Sequence, residues 1–289
     1  MSEALFEPDG TFFVPTPLTR GPWTPLAQHG GPPAGLAAHL IESFEGGESM
    51  FVARVTVELL RPVPLTPLSA QVRLSRPGKK VQLVEVSLWT NGQPGDATAI
   101  EAVRATGLRV RRGELGGVDE LSAPNSLVDE RDRVILGPEA GVVPTFGFPG
   151  NGFHRDAVDL RFVNGDMVVP GPGTMWARLR QPVVAGVQPT GVVRSVALAD
   201  FGNAVSSVVN AETTSYINAD LTVNLHREPV GDWICLDGVT RLSSLGVGQA
   251  MCTLHDQGGP VGRSAASLLI ERRELSNRTG AEQLGTFPG

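Results

Sequence analysis

Apolar and polar side chains alternate along much of this chain. In residues 51–60, Val55, Val57 and Leu59 are separated by Thr56 and Glu58, so an extended segment here has one apolar and one polar face. Residues 68–74, 81–90 and 97–110 also read as strands. Pro62, Pro64 and Pro67, then Gly78-Lys79-Lys80, then Asn91-Gly92 punctuate them, and the last pair is a hairpin-type turn. Four long antiparallel strands are predicted. A different period precedes them. In residues 34–44, Leu36, Leu40 and Phe44 recur at i, i+4 and i+8, which predicts a helix. The run Gln28-His29-Gly30-Gly31-Pro32-Pro33 leads into it, Gly46-Gly47 ends it, and a short strand at 11–15 comes before it.

Residues 111–150 hold no period and are dense in Gly, Pro, Asp and Glu, as a boundary crossing would be. The first plan then returns. Strands are predicted at 153–169 and 175–183, a helix at 190–207, and strands at 213–225, 233–240, 248–255 and 261–271. Two landmarks recur at one offset: Arg61 with Arg227, and Gly92 with Gly258. The chain therefore reads as a tandem duplication, with units at 1–112 and 151–289 joined by a crossing at 113–150. Each unit is an antiparallel sheet around one long helix, an α+β architecture. Pairing the two into one continuous sheet would protect edges that neither could cover alone.

Composition narrows the function classes. Gly at 35 and Pro at 23 favour turn-rich strands over a helical bundle. A net charge of −6 leaves no general nucleic-acid footprint, so a phosphate-bearing partner needs a local Arg cluster. Cys235 and Cys252 lack metal-ligand spacing and read as two buried thiols. No metal or cofactor motif is present: there is no His-Glu-x-x-His, paired-Cys or phosphate-cradling Gly-Lys-Ser/Thr pattern. No apolar run approaches the roughly 20 residues that span a bilayer, so no membrane association is expected. The segment MSEALFEPDG lacks a basic-then-apolar leader, and a cytoplasmic location is the expectation.

The stretch 189–227 carries the candidate chemistry. Asp200 is a lone acid in an apolar helical segment. A buried carboxylate there must be hydrogen-bonded or perform chemistry, because an unpaired one costs several kcal/mol or a large pKa shift. A structural acid bonded to nearby N–H or hydroxyl groups is the plainer reading of the same residue. His226 with Arg227 reads as a cross-strand polar pair rather than a catalytic histidine.

Several features together resemble the acyl-CoA thioesterase II (TesB-like) family and its double hotdog fold. They are His29-Gly30-Gly31 at the first helix, Asp200 in the second, and the strand from Asp220 to His226-Arg227 with Pro229 and Trp233 after it. The fourth is the strand pair around Asp256-Gln257-Gly258-Gly259. The resemblance implies that a water attacks the thioester carbonyl of an acyl-CoA, held by an Asp on the second helix, a Thr on the next strand and a Gln on the last. The Asp carries over to Asp200. Asn218 and Ser267 stand at the Thr and Gln positions. His29, Gly30 and Gly31 are expected at the substrate groove, with Arg178 and Arg241 (and Arg180 beside them) as contacts for the CoA phosphates. Hotdog sheets pair further, so a homo-oligomer is expected. Two alternatives stay open: an acyl-CoA- or lipid-binding hotdog protein without catalysis, favoured by Asn218 and Ser267, and a hotdog hydratase, which the absence of its Asp-to-His helix spacing disfavours.

Overall fold

The computed structural model describes residues 4–22, 24–113, 134–145, 151–210 and 213–272. Most of the predicted crossing and the tail beyond 272 lie outside the described residues.

The alternating segments form strands near the expected positions, and one strand that was not expected, the first, precedes them. They are β1 (Phe6–Asp9), β2 (Phe12–Pro15), β3 (Met50–Leu59), β4 (Leu68–Arg76), β5 (Val81–Thr90) and β6 (Ile100–Arg111). The second half supplies β7 (Val158–Asn164), β8 (Gly173–Leu179), β9 (Thr214–Asn218), β10 (Asp220–Leu225), β11 (Ile234–Leu242), β12 (Val247–Asp256) and β13 (Gly259–Arg272). All 13 join one sheet in the order β1-β2-β4-β5-β6-β3-β10-β13-β12-β11-β8-β7, with β9 on β13. Every strand pair is antiparallel.

The seam of this sheet is the pairing of β3 with β10. Thr56 lies opposite Thr222, and their hydroxyls meet at 3.2 Å across an offset of 166 residues. Arg61 and Arg227 are separated by the same offset, as are the starts and ends of β4 and β11, and of β5 and β12. Residues equivalent in the two units thus face each other at the seam. That places a pseudo-twofold axis there, as expected of a duplicated sheet whose central edges pair.

Each unit encloses a helix. α1 (Gly31–Ser43) is buried nearly all round through its first half, not only along the Leu36–Leu40–Phe44 stripe. α2 (Gly191–Ala199) is buried except at Arg194. A helix apolar on all sides belongs inside a core. The two helices run antiparallel and cross closely. Gly31 and Gly35, one turn apart on one face, meet Ala197: a Cβ on Gly35 would lie 2.9 Å from the Ala197 Cβ, and one on Gly31 would lie 2.4 Å from its carbonyl oxygen. Arg109, fully buried, closes the far end of α1. It donates to the carbonyls of Phe44 and Glu45 and to Gln82 Oε1, so carbonyls left at the helix end are satisfied by a cation.

Three predicted elements are corrected. The helix expected over 190–207 breaks after Ala199, with a separate short turn α3 (Gly202–Val205) following. Phe201 N–H bonds the Leu198 carbonyl three residues back, which tightens and ends the helix. The strand expected over 213–225 is interrupted between β9 and β10. Four steps separate Asn218 from Thr222, but three separate their partners Leu268 and Ala265 on β13, so one extra residue is accommodated as a bulge. The strand expected over 153–169 begins instead with a π-helical turn, Phe153–Ala157. Cys235 and Cys252 are both buried and form no disulfide, and burial pushes the Cys252 thiol up to about 12.

Candidate active site

The start of α1 meets the end of α2. Two proline residues shape the first of these. Pro32 and Pro33 suit an opening helical turn but carry no N–H, and Ala34 N–H bonds the Gly30 carbonyl at 3.1 Å. The amides that this turn can offer to a ligand are therefore those of Gly30 and Gly31. The preceding loop is pinned by His29 N–H to the Thr19 carbonyl and by Gln28 N–H to the Val63 carbonyl, both at 2.8 Å.

Asp200 sits directly after α2 and is 6 % exposed. Its Oδ2 lies 2.8 Å from His29 Nδ1, and its Oδ1 accepts from Asn218 Nδ2 at 2.7 Å. Asn203 Nδ2 in turn donates to Asn218 Oδ1 at 2.7 Å, which orients the amide with its NH₂ toward the acid. Asn218 is the last residue of β9, directly before the bulge. Gly30 is required at its position: a Cβ there would fall 2.8 Å from Oδ2 and 3.0 Å from Oδ1 of Asp200.

The electrostatics are those of a carboxylate kept ionised. Burial pushes the Asp200 carboxyl up, and the end of α2 is the unfavourable pole for an anion. These effects lose to the His29 imidazole, the Asn218 amide and the Gly31 N–H, which together hold it below its ordinary value. The imidazole packs against Phe201 (ring centroids 4.9 Å) and Phe153 (5.1 Å), which also stack on each other at 5.6 Å. His154, on the same turn as Phe153, is pushed down to about 4 by burial, with His29 and Arg155 adding to the shift. Beyond Asn203, a cavity of about 10 Å³, room for roughly one water, is lined by Tyr216, Leu242, Leu268 and Ile270 among others.

Of the expected residues, His29, Gly30, Gly31, Asp200 and Asn218 are brought together. Ser267 is not. Ala266 and Leu268 point into the core, so Ser267 between them faces outward and is exposed; its N–H binds Asp220 Oδ1 and its carbonyl accepts from Ala219. Arg178 is committed elsewhere, to Asp159 at 2.7 Å and to the face of Trp233 at 4.8 Å. Arg180 shares that Asp159. Arg241 is an exposed residue of β11, between Thr240 and Leu242, which line the small cavity. Three contributors went unread in the sequence: Phe153, Phe201 and Asn203. Asn203 carried one signal, its i+3 spacing from Asp200.

Comparison with known proteins bears on the family and the fold. The family described as acyl-CoA thioesterase N-terminal domain matches residues 19–110, and the one described as acyl-CoA thioesterase C-terminal domain matches residues 136–270. No curated protein matches. Among solved structures, the chain is similar to a hot dog fold protein of unknown function from Alicyclobacillus acidocaldarius (14 % identity, 92 % and 95 % of the two chains, TM-score 0.65). It is also similar to the tesB protein of Mycobacterium avium subs paratuberculosis (16 %, 92 % and 96 %, 0.60). A third neighbour is an acyl-CoA thioesterase II, TesB2, from Mycobacterium marinum (16 %, 87 % and 92 %, 0.57). At such identities these neighbours show the double hotdog fold.

Proposed function

The chain belongs to the acyl-CoA thioesterase family, carrying its N- and C-terminal domains in order, and on that premise we propose that it hydrolyses an acyl-CoA to the free acid and CoA at Asp200. One observation carries this reading. A buried carboxylate, held ionised, faces the opening turn of a helix whose first two amides belong to glycines. Water held beside the pair of Asp200 and His29 is placed to attack a thioester carbonyl lying over the turn. Gly31 N–H is turned toward Asp200 and Nδ1 of His29, so Gly30 N–H is assigned to the carbonyl oxygen, where an oxyanion develops. Asn218 holds the carboxylate in place, and Asn203 holds Asn218. Ser267 has no part in this scheme, and Arg178 is withdrawn from the CoA phosphates. Arg241 is retained for them because its strand neighbours line the cavity next to Asn203.

Thiol release from a panel of acyl-CoAs tests the proposal. Asp200→Ala should lower kcat by about 10²–10⁴, the usual worth of a positioned acid–base group, with the melting temperature showing a folded protein. Undiminished release would place the chemistry elsewhere. The outward-facing Ser267 favours a second reading, a hotdog protein that binds acyl-CoA without cleaving it. Tight binding by the wild-type protein with no thiol released would select that reading.

A further inference from the structure

We infer that His29 is the proton acceptor of the reaction, and that Asp200 acts on water through it as the residue that orients and charges the imidazole. This rests on the thioesterase reading above and deepens it. The contact spans the two units: His29 enters from the loop before α1, and Asp200 from the end of α2, at 2.8 Å between Nδ1 and Oδ2. A carboxylate and an unprotonated Nδ1 would repel each other at that distance. With Asp200 ionised, Nδ1 therefore carries the hydrogen and donates it. Gly31 N–H is aimed at Nδ1, at 3.1 Å, as well as at the carboxylate; with hydrogen on Nδ1 it serves the carboxylate alone. In a neutral ring with hydrogen on Nδ1, Nε2 holds the lone pair. Asn218, bonded to Oδ1, prevents the acid from rotating away. This arrangement of base and orienting acid is the logic of carboxylate–histidine pairs in acyl transfer.

Asp200 itself is poorly suited to receive a proton. The interactions that hold it ionised also lower its basicity. Imidazole is the side chain whose ordinary titration lies near neutrality. The balanced step is short. Water oxygen bonds to the thioester carbon while one water proton passes to Nε2, leaving a tetrahedral oxyanion and an imidazolium paired with Asp200. The oxyanion then collapses and the C–S bond breaks. The CoA sulfur leaves with the electron pair and takes the proton from Nε2, which restores the neutral ring. No other reactant is needed.

Other titratable or charged groups lie on the elements packed around the ring. They are His154, Arg155 and Asp156 on the turn Phe153–Ala157, Arg20 on the segment bridged to Gln28, and Glu58 beside Leu59. A pH profile alone could reflect any of them, so the test removes His29 and also reads its tautomer.

His29→Gln should lower kcat by about 10²–10⁴ with KM little changed. If His29→Gln keeps the wild-type kcat, the inference is overturned while the thioesterase reading stands. Should wild-type protein release no thiol from any acyl-CoA, both fall. Nitrogen-15 spectra of histidine-labelled wild-type protein need no variant to fold. They should show His29 at alkaline pH with its hydrogen on Nδ1 and Nε2 bare; a hydrogen on Nε2 overturns the inference.

Discussion

The antiparallel helices make two junctions, and the acid at each meets different surroundings. At the first, the opening of α1 meets the end of α2 as His29, Gly30 and Gly31 against Asp200. At the second, the opening of α2 meets the end of α1, and an acid is present there too. Thr190 caps α2 through Val193 N–H and donates its hydroxyl to Glu42 Oε2 at 2.6 Å. Here the neighbourhood is different. Burial, with Glu228 nearby, pushes the Glu42 carboxyl up, against the pull of Thr190 and Arg112. Arg112 is itself paired with Glu228 at 3.0 Å. The glycine that starts α2 is already covered: a Cβ on Gly191 would lie 2.1 Å from the Pro229 carbonyl oxygen. An acid at a helix junction is thus not in itself a site. What separates the two is a facing imidazole, an amide that fixes the acid, and a glycine turn whose neighbour is the carboxylate rather than backbone.

The glycine pair offers the sharpest way to break this comparison. Gly30→Ala should cost about 10²-fold in kcat, because its methyl displaces the Asp200 carboxylate by a sizeable fraction of an ångström. Gly191→Ala clashes with Pro229 and should lower the melting temperature, with kcat kept in the fraction that folds. Equal losses of turnover in both variants would show that the second junction matters to catalysis. A smaller effect is expected from Asn218→Ala. A hydrogen bond to a charged group contributes about 1.5–3 kcal/mol, or roughly ten- to a hundredfold in rate if all of it bears on the reaction. Asn203→Ala should fall below that, since it reaches Asp200 only through Asn218.

The smallest effect is in stability against pH, and its sign differs between the junctions. Asp200 is held below its ordinary 3.8, so it stabilises the fold above that value and the contribution is lost as pH falls through the folded-state pKa. Glu42 is raised above 4.5, so its contribution is complete below that value and disappears as pH rises through the folded-state pKa. Melting temperatures from about pH 3 to 7 should therefore show Asp200→Asn removing part of the acid-side loss of stability. Glu42→Gln should lift stability most at the neutral end. Curves that shift in the same direction would contradict the assigned environments.

The sheet was legible because alternation is a local signal. β5 appears with the bounds read from the sequence, and the common offset of Arg61–Arg227 and Gly92–Gly258 carried the duplication through to the Thr56–Thr222 seam. Those landmarks also have a structural reason. Arg227 makes paired bonds of 2.6 and 2.7 Å to the buried Asp256 at the next turn, so that acid is tied to a cation that does not release its proton. Asp200 stood out as the lone acid of its apolar segment, and Asn218 lies near the expected place although a bulge separates it from the strand that ends at His226-Arg227. Ser267 was not legible as an outward residue, because the inward phase of β13 is set by Ala266 and Leu268. The pairing of His29 with Asp200 was hidden for a different reason. It depends on how closely two distant helices cross at Gly31, Gly35 and Ala197, and no pattern within either helix records that distance.

The Thr56–Thr222 seam also governs how this protein could have arisen and how it could be dismantled. On the proposed reading each unit supplies one half of the dyad, the imidazole from the first and the carboxylate from the second, as expected of two equivalent modules that divided one task. Two separately produced halves would be inert apart. Thioester cleavage restored on mixing them would report directly that the central strands had found each other again.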